Sequence, residues 1–222
     1  MNWDWECTHG YVKSIAEHFK LKLCWSWRNR GFHGQVMRKN KIPEAICYKF
    51  EHNTEIKTLK SARGSRNTRM KFPAKTASLV SRWCSSCLKI DVARSVLSDL
   101  FPLKKQNPTK IIYISGERRE ESTARSKYEE FPPHPCNINP TGRQGGRIVQ
   151  HWRMIIDWKE EEVWKIIEKH KIRPHPAYQL GFGRVSCAQC IFLNPDGWSS
   201  LNKINKKRID KIIELEKGLI SP

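Results

Sequence analysis

The sequence predicts an α/β fold, an open parallel sheet with flanking helices. Strand-like and helix-like runs alternate along the chain, the pattern of α/β layering. Ile111, Ile112, Tyr113 and Ile114 form an unbroken β-branched and aromatic run of the kind found in buried parallel strands. That run ends in Gly116, where a sharp turn is expected, followed by Arg118, Arg119 and Arg125 among Glu residues. The carboxyl end of a strand is where open α/β sheets place ligands.

The elements follow in order. Trp3 to Thr8 reads as a strand end and turn, then a helix capped near Thr8 with Tyr11, Ile15, Ala16 and Phe19 on one face. Leu21, Leu23, Trp25 and Trp27 alternate with Lys22, Cys24 and Ser26, a strand pattern. Residues 28–80 are expected to be irregular and basic, with only short regular pieces. Cys84 to Phe101 predicts a helix with the stripe Leu88, Val92, Val96, Leu97, Leu100 and Phe101. Pro102 and Pro108 bracket the connection to a strand over Lys110 to Ser115. Residues 126–150 form an excursion rich in Pro, Gly and Asn, expected to be exposed. His151 to Ile156 predicts another strand, and Asp157 caps a helix with Glu160, Glu161 and Glu162 in its first turn. Val163, Trp164, Ile166 and Ile167 are its expected buried face. A last helix runs from about Leu201 to Lys217. No internal repeat is present.

Length and composition narrow the class. A chain of 222 residues suits one domain, here 1–190 with a basic loop over 28–80, plus a helical appendage over 191–222. The hydrophobic share of 38% and charged share of 28% are those of a polar, water-soluble protein. No run approaches the roughly 18 apolar residues of a membrane span, and no apolar signal core opens the chain. Eight cysteines without such a signal favour a reducing compartment, so a cytoplasmic protein is expected, with metal or redox roles ahead of disulfides.

The net charge of +19 implies a polyanionic partner or many phosphate contacts. Between Lys57 and Lys89 there are nine Lys or Arg and no acid. Gly64, Ser65, Asn67 and Pro73 interrupt this segment, so a mobile loop is expected. It reads either as a solubilising surface loop or as a nucleic-acid or nucleotide contact.

Two motifs carry candidate chemistry. Arg118, Arg119 and Arg125 offer planar charged forks for phosphate or sulfate oxygens, with hydroxyls from Ser122 and Thr123 beside them. The plainer reading is a solvated, salt-bridged loop. Cys84-Ser-Ser-Cys87 and Cys187-Ala-Gln-Cys190 are two C-x-x-C pairs, each able to bring two thiolates to one metal centre. They lie about a hundred residues apart, beyond zinc-ribbon spacing, so only the tertiary fold can unite them. A [4Fe–4S] cluster, a structural zinc, and free or redox-active thiols all remain open. Cys84 sits at a predicted helix start, where the dipole lowers a thiol's pKa. Cys7, Cys24, Cys47 and Cys136 are isolated and read as packing residues.

The stretch Ile114 to Arg125, ISGERREESTAR, resembles the T-G-x-R-R-x-x-S-x-x-R signature of the phosphoadenosine phosphosulfate (PAPS) and adenosine phosphosulfate (APS) reductases. WRMIIDWKEEEVWKII is similar to that family's P-L-x-x-W-x-x-x-D-V-W-x-x-I helix entry, and PHPAYQLGFGRVSCAQC to the segment leading into its C-A-x-C. The resemblance covers Cys84 to Cys190. It implies an adenine nucleotide alpha hydrolase-like fold and a nucleotide or phosphate site at Gly116, Glu117, Arg118, Arg119, Ser122 and Arg125, with Lys89 as a further cation. The implied ligands are ATP, APS or PAPS. It also implies a [4Fe–4S] cluster on Cys84, Cys187 and Cys190, from which Cys87 departs by standing three residues after Cys84 rather than beside it.

Two family features have no match. The Ser-Gly-Gly-x-Asp-Ser phosphate loop is not found, since neither Gly31 to Gly34 nor Gly142 to Gly146 follows a strand while opening a helix. Trp3 to Thr8 instead resembles the end of the family's second strand, so a member shortened by its first β-α unit is expected. The E-C-G-x-H tail with its nucleophilic cysteine is also unmatched, so conventional sulfonucleotide reduction is not expected. Three functions follow. One is a nucleotide-using sulfur-transfer or adenylation enzyme, served by an electron or sulfur donor protein. Another is a tRNA or DNA thiolation enzyme or component using the basic 57–89 segment. The third is a catalytically inactive nucleotide- or nucleic-acid-binding protein.

Overall fold

The structure, a computed structural model, describes residues 3–59, 65–141 and 145–220. Lys60, Arg63 and Gly64 of the basic segment, and Gly142 of the second glycine cluster, lie outside the described residues. The fold is mixed α/β. The chain forms two compact units, one built from the chain up to Ala93 together with the part from His175 onward, the other from Arg94–Pro174. No helix among the described residues is long and apolar enough to cross a membrane.

In the first unit, helix α1 (Thr8–His18) leads to strand β1 (Cys24–Arg28), as the alternation predicts. Trp3 to Thr8 contains no strand. Thr8 does not cap α1, whose N-cap is Cys7; its hydroxyl lies 3.1 Å from Nε2 of His175 instead. Residues 28–80 are more ordered than their composition suggests. Helix α2 (Gly31–Val36) comes first, and strands β2 (Ile46–Phe50) and β3 (Lys57–Leu59) then build with β1 an antiparallel sheet in the order β1-β2-β3, with Trp27 opposite Cys47. The buried Ile46, Cys47 and Tyr48 explain why so basic a stretch holds a sheet.

The predicted long helix from Cys84 is three joined pieces: α3 (Trp83–Ser85), a π-helical turn (Ser86–Ile90) and α4 (Asp91–Leu100). After His175 come α6 (Pro176–Gln179), α7 (Pro195–Ile204) and α8 (Lys206–Ile220). The last two replace the single predicted helix. Asn205 breaks it, with φ −149° and ψ 73°, and its Oδ1 accepts the Arg208 N–H to start α8. Two apolar clusters hold this unit: Trp5 with Ala177, Phe182, Ala188 and Leu201, and Phe32 with Val36 and Trp83.

In the second unit, β4 (Thr109–Ile114) and β5 (Arg147–Trp152) pair in parallel, Tyr113 opposite His151. This is the small parallel sheet that the sequence predicts, but β4 is not buried on both faces: Ile112 and Ile114 are exposed. β5 begins earlier than predicted and ends at Trp152. The Pro-rich excursion is not simply exposed, because it lies along the free edge of β5. His134 N–H donates to the Val149 carbonyl at 2.9 Å and Ile138 N–H to the Arg147 carbonyl at 2.9 Å, which buries His134 and Cys136. Gly146 is needed there, since a Cβ would stand 2.5 Å from the backbone N of Pro140. Helix α5 (Glu160–Lys169) starts from Lys159 rather than Asp157, its N-terminus closed by the Glu162 side chain accepting the Lys159 N–H at 2.6 Å. Its expected buried face is only half covered, and Ile166 is exposed.

Candidate functional site

The first unit contains a cavity of ≈ 380 Å³ whose wall brings both C-x-x-C segments together: Cys84 from one, Cys187 and Cys190 from the other. Two backbone ties hold these segments. Ala188 N–H donates to the Trp3 carbonyl at 2.9 Å, and Arg28 Nε donates to the Cys87 carbonyl at 3.0 Å. Lys89, Arg28 and Arg184 share the wall, and Lys89 Nζ donates to Ser186 Oγ at 3.0 Å. Lys89 therefore belongs with the cysteines, in the first unit, whereas the arginine loop with which the sequence grouped it belongs to the second.

Cys87 does not line this cavity. It packs against the Phe32, Val36 and Trp83 cluster, and its sulfur accepts from Arg69 Nη2 at 3.4 Å. Arg69 in turn stacks 4.5 Å above the Trp83 ring.

Burial raises the thiol pKa of Cys84 and of Cys187, and the neighbouring Cys190 adds to both shifts. Lys89 opposes the rise at both. The predicted lowering of Cys84 by a helix dipole does not occur. The α helix at that point is three residues long, and desolvation outweighs every other influence.

Two polar groups on the same wall have no hydrogen-bond partner: Trp3 Nε1, and both amide atoms of Gln189, a residue 3% exposed. Buried donors without acceptors are costly. Among the described residues no three His, Cys, Asp or Glu side chains form a group able to hold a single metal ion. The three cysteines, Trp3 and Gln189 all line the one cavity, while the orphaned N–H atoms themselves are buried. That donor set fits an iron–sulfur cluster, in which thiolates bind separate irons and N–H groups donate to sulfur.

The arginine loop lies beyond the carboxyl ends of β4 and β5. Each predicted phosphate fork already meets acids of the chain. Arg118, its side chain 12% exposed, lies 3.6 Å from Glu120, 3.7 Å from Glu121 and 4.0 Å from Glu160, and its buried Nη1 lacks a hydrogen bond. Arg119 pairs with Asp157 and donates from Nη2 to the Tyr128 carbonyl at 2.9 Å. Arg125 pairs with Glu121, and its N–H donates to Ser122 Oγ at 3.3 Å. An incoming anion would have to displace these carboxylates. Gly116 does not adopt a left-handed conformation, and a Cβ there would only touch Ile155 at 3.6 Å, so the expected sharp turn is absent.

Glu117 accepts from Arg153 Nε at 2.6 Å and Ser115 Oγ at 3.3 Å. Ser115, Arg153 and the buried His134 and His151 are site residues that the sequence reading missed. So are Trp3, Arg28 and Gln189. Of these only Gln189 carried a signal, its place between two cysteines.

The phosphoadenosine phosphosulfate reductase domain model matches residues 3–192. The chain belongs to this family. It is similar to an uncharacterized 37.8 kDa protein of Escherichia phage 186, 31% identical over 121 residues, which is 54% of this chain and 32% of that protein. It is also similar to proteins named adenosine 5'-phosphosulfate reductase. That of Bacillus mycoides is 30% identical over 102 residues, 46% of this chain and 39% of the relative. That of Bacillus cytotoxicus is 32% identical over 95 residues, 42% and 36% respectively. The matches thus span between about a third and two fifths of the length of these relatives. No solved structure matches the chain.

Proposed function

We propose that this PAPS reductase family member is a nucleotide-using sulfur-transfer or adenylation enzyme that carries an iron–sulfur cluster in its cysteine-lined cavity. The observation that carries the reading is the meeting of Cys84 with Cys187 and Cys190 on one wall, beside the orphaned donors of Trp3 and Gln189. Such a cluster supplies electron transfer or a Lewis-acidic iron when bound. Because burial keeps Cys84 and Cys187 protonated, assembly should release protons.

The nucleotide part of the reading rests on the second unit. The Arg118 to Arg125 loop follows a strand of a parallel sheet and presents three guanidiniums, the arrangement expected of a phosphate or sulfate site on an adenine nucleotide alpha hydrolase-like sheet. The names of the reductase relatives favour APS as the nucleotide, and that of the family PAPS. Anaerobic purification tests the cluster. Brown protein with stoichiometric iron and sulfide, whose visible band bleaches on reduction, is expected. Zinc in full occupancy without sulfide would reject it.

A second reading, action on tRNA or DNA, is favoured by the net charge of +19 and by exposed Arg66, Lys71 and Lys75 in the basic segment. Salt-sensitive binding of RNA or DNA, without affinity for APS or PAPS, would select it.

A further inference from the structure

We infer that Cys87 is a sulfur-carrying thiol: it takes a sulfane sulfur atom from a persulfide or polysulfide donor, and the persulfide anion so formed is held by a nest of Arg38, Arg69 and Gln35. The inference rests on the sulfur-transfer part of the reading above and gives that role to a cysteine outside the cavity.

The nest belongs to the first unit. Gln35 lies in the last turn of α2, Arg38 follows that helix, and the Arg69 N–H donates to the Arg38 carbonyl at 2.7 Å. Gln35 is 0% exposed and Arg38 4%, and Arg38 Nη1 donates to Gln35 Oε1 at 3.2 Å. Cys87 stands beside them, half-buried on the π-helical turn. Arg69 Nη2 donates to its sulfur at 3.4 Å, and Arg28 Nε to its carbonyl at 3.0 Å. The Trp83 ring, 4.5 Å from the Arg69 guanidinium, backs that donor.

This group is short of negative charge. Buried guanidiniums are ordinarily met by carboxylates. Among the described residues no salt bridge reaches Arg28, Arg38 or Arg69. Arg28 is compensated by the carbonyls of Cys87 and Glu44 and by the nearby Asp91. Arg38 has no such help. Burial pushes its guanidinium below the ordinary arginine range, the neighbouring Arg69 and Arg28 add to the shift, and the Cys87 sulfur opposes it. Arg38 Nε, Arg69 Nη1 and Gln35 Nε2 are buried donors without an acceptor, a costly arrangement.

An atom added to the Cys87 sulfur supplies both the missing charge and the missing acceptor. A persulfide is a stronger acid than a thiol, and its outer sulfur accepts hydrogen bonds. The Cys87 sulfur attacks the outer sulfur of a donor R–S–SH, the donor's S–S bond breaks, and a new S–S bond forms to Cys87. The donor leaves as R–SH with the proton from Cys87, so no net oxidation occurs. Cys87–S–SH then loses its proton to water, and the anion accepts from Arg69 Nη1, with Arg38 and Gln35 completing the nest.

The test incubates the full chain anaerobically with inorganic polysulfide, then alkylates it and maps the added sulfur by peptide mass spectrometry. Wild type, Cys87→Ser and Arg69→Gln are compared, with far-UV circular dichroism reporting the fold. In folded wild type the sulfur should sit mainly on Cys87, whereas in urea it should spread over the eight cysteines. Arg69→Gln should lower the loaded fraction at a fixed thiol concentration by about tenfold, the factor for one lost charge-assisted contact. Loading should also raise the melting temperature of wild type and leave that of Cys87→Ser unchanged. Sulfur carried mainly by other cysteines of the folded chain would overturn the inference while leaving the sulfur-transfer reading in place. Loading of Cys87 that folded Arg69→Gln leaves unchanged would overturn it as well. A wild-type chain that takes up no sulfur at any cysteine would end both.

Discussion

Ser115 Oγ lies 2.7 Å from Nε2 of His151, joining the carboxyl ends of the two parallel strands. Glu117 fixes the direction of this bond. A carboxylate only accepts, so Ser115 donates to Glu117 at 3.3 Å and His151 must carry its proton on Nε2. Arg153 Nε closes the chain on Glu117 at 2.6 Å. The Ser115→Ala variant leaves the buried His151 N–H without its acceptor and should lose about 1–3 kcal/mol of stability. Ser115→Thr keeps the hydroxyl and should lose less. Urea unfolding of the two variants checks the difference.

His134 links pH to stability. Burial, reinforced by His151, Arg94, Arg147 and Arg153, lowers its pKa to about 4. Its Nδ1 accepts the Cys136 N–H at 3.1 Å, so this nitrogen must stay unprotonated. Unfolding restores a pKa near 6.5, so the unfolded chain binds the extra proton first. Stability should therefore fall as pH drops from about 6.5 towards about 4. His134→Asn keeps an acceptor for Cys136 and cannot titrate. Its melting temperature should fall less than that of wild type over the same range.

The sequence made the motifs legible and hid much of what holds them. β4 was readable because four consecutive β-branched or aromatic residues have no helical period, and its parallel partner was placed within a few residues. β2 and β3, which pair with the legible β1, were not, because strands of five and three residues within a basic stretch leave no alternation to count. Asp157 looked like a helix cap by type, but Arg119 holds its carboxylate and Glu162 closes the helix instead. Cys84 lines the cavity and Cys87 does not, a difference that residue spacing does not reveal.

Arg147 is 4% exposed, and it shows how a buried cation can be satisfied without an acid. Its guanidinium donates to the carbonyls of Cys136 at 3.2 Å, Ser98 at 3.2 Å and Phe101 at 2.6 Å, and to Ser98 Oγ at 3.1 Å. Arg147→Ala strands these acceptors and leaves a void. The expected cost is roughly 3 kcal/mol or more, read from the denaturant midpoint. Arg147→Lys should recover little of it, because an ammonium cannot span the same carbonyls.

The arginine loop is self-neutralised, and that yields an unusual prediction for its anion affinity. Glu121 engages Arg125 directly and lies 3.7 Å from Arg118, so it occupies the approach to both guanidiniums. If the loop binds the sulfate or phosphate of a sulfonucleotide, Glu121 competes with the ligand. Glu121→Gln should then tighten APS binding, while Arg118→Ala should weaken it by about 1.5–3 kcal/mol, the loss expected for one charge-assisted contact. Removing the same charge elsewhere, by Glu216→Gln, controls for net electrostatics and should change affinity much less. Titration calorimetry with APS at fixed ionic strength separates the outcomes. Equal gains from Glu121→Gln and Glu216→Gln would mean that the ligand senses only the overall charge. No gain from either, with Arg118→Ala inert, would reduce the loop to a salt-bridged connection between β4 and the edge of β5.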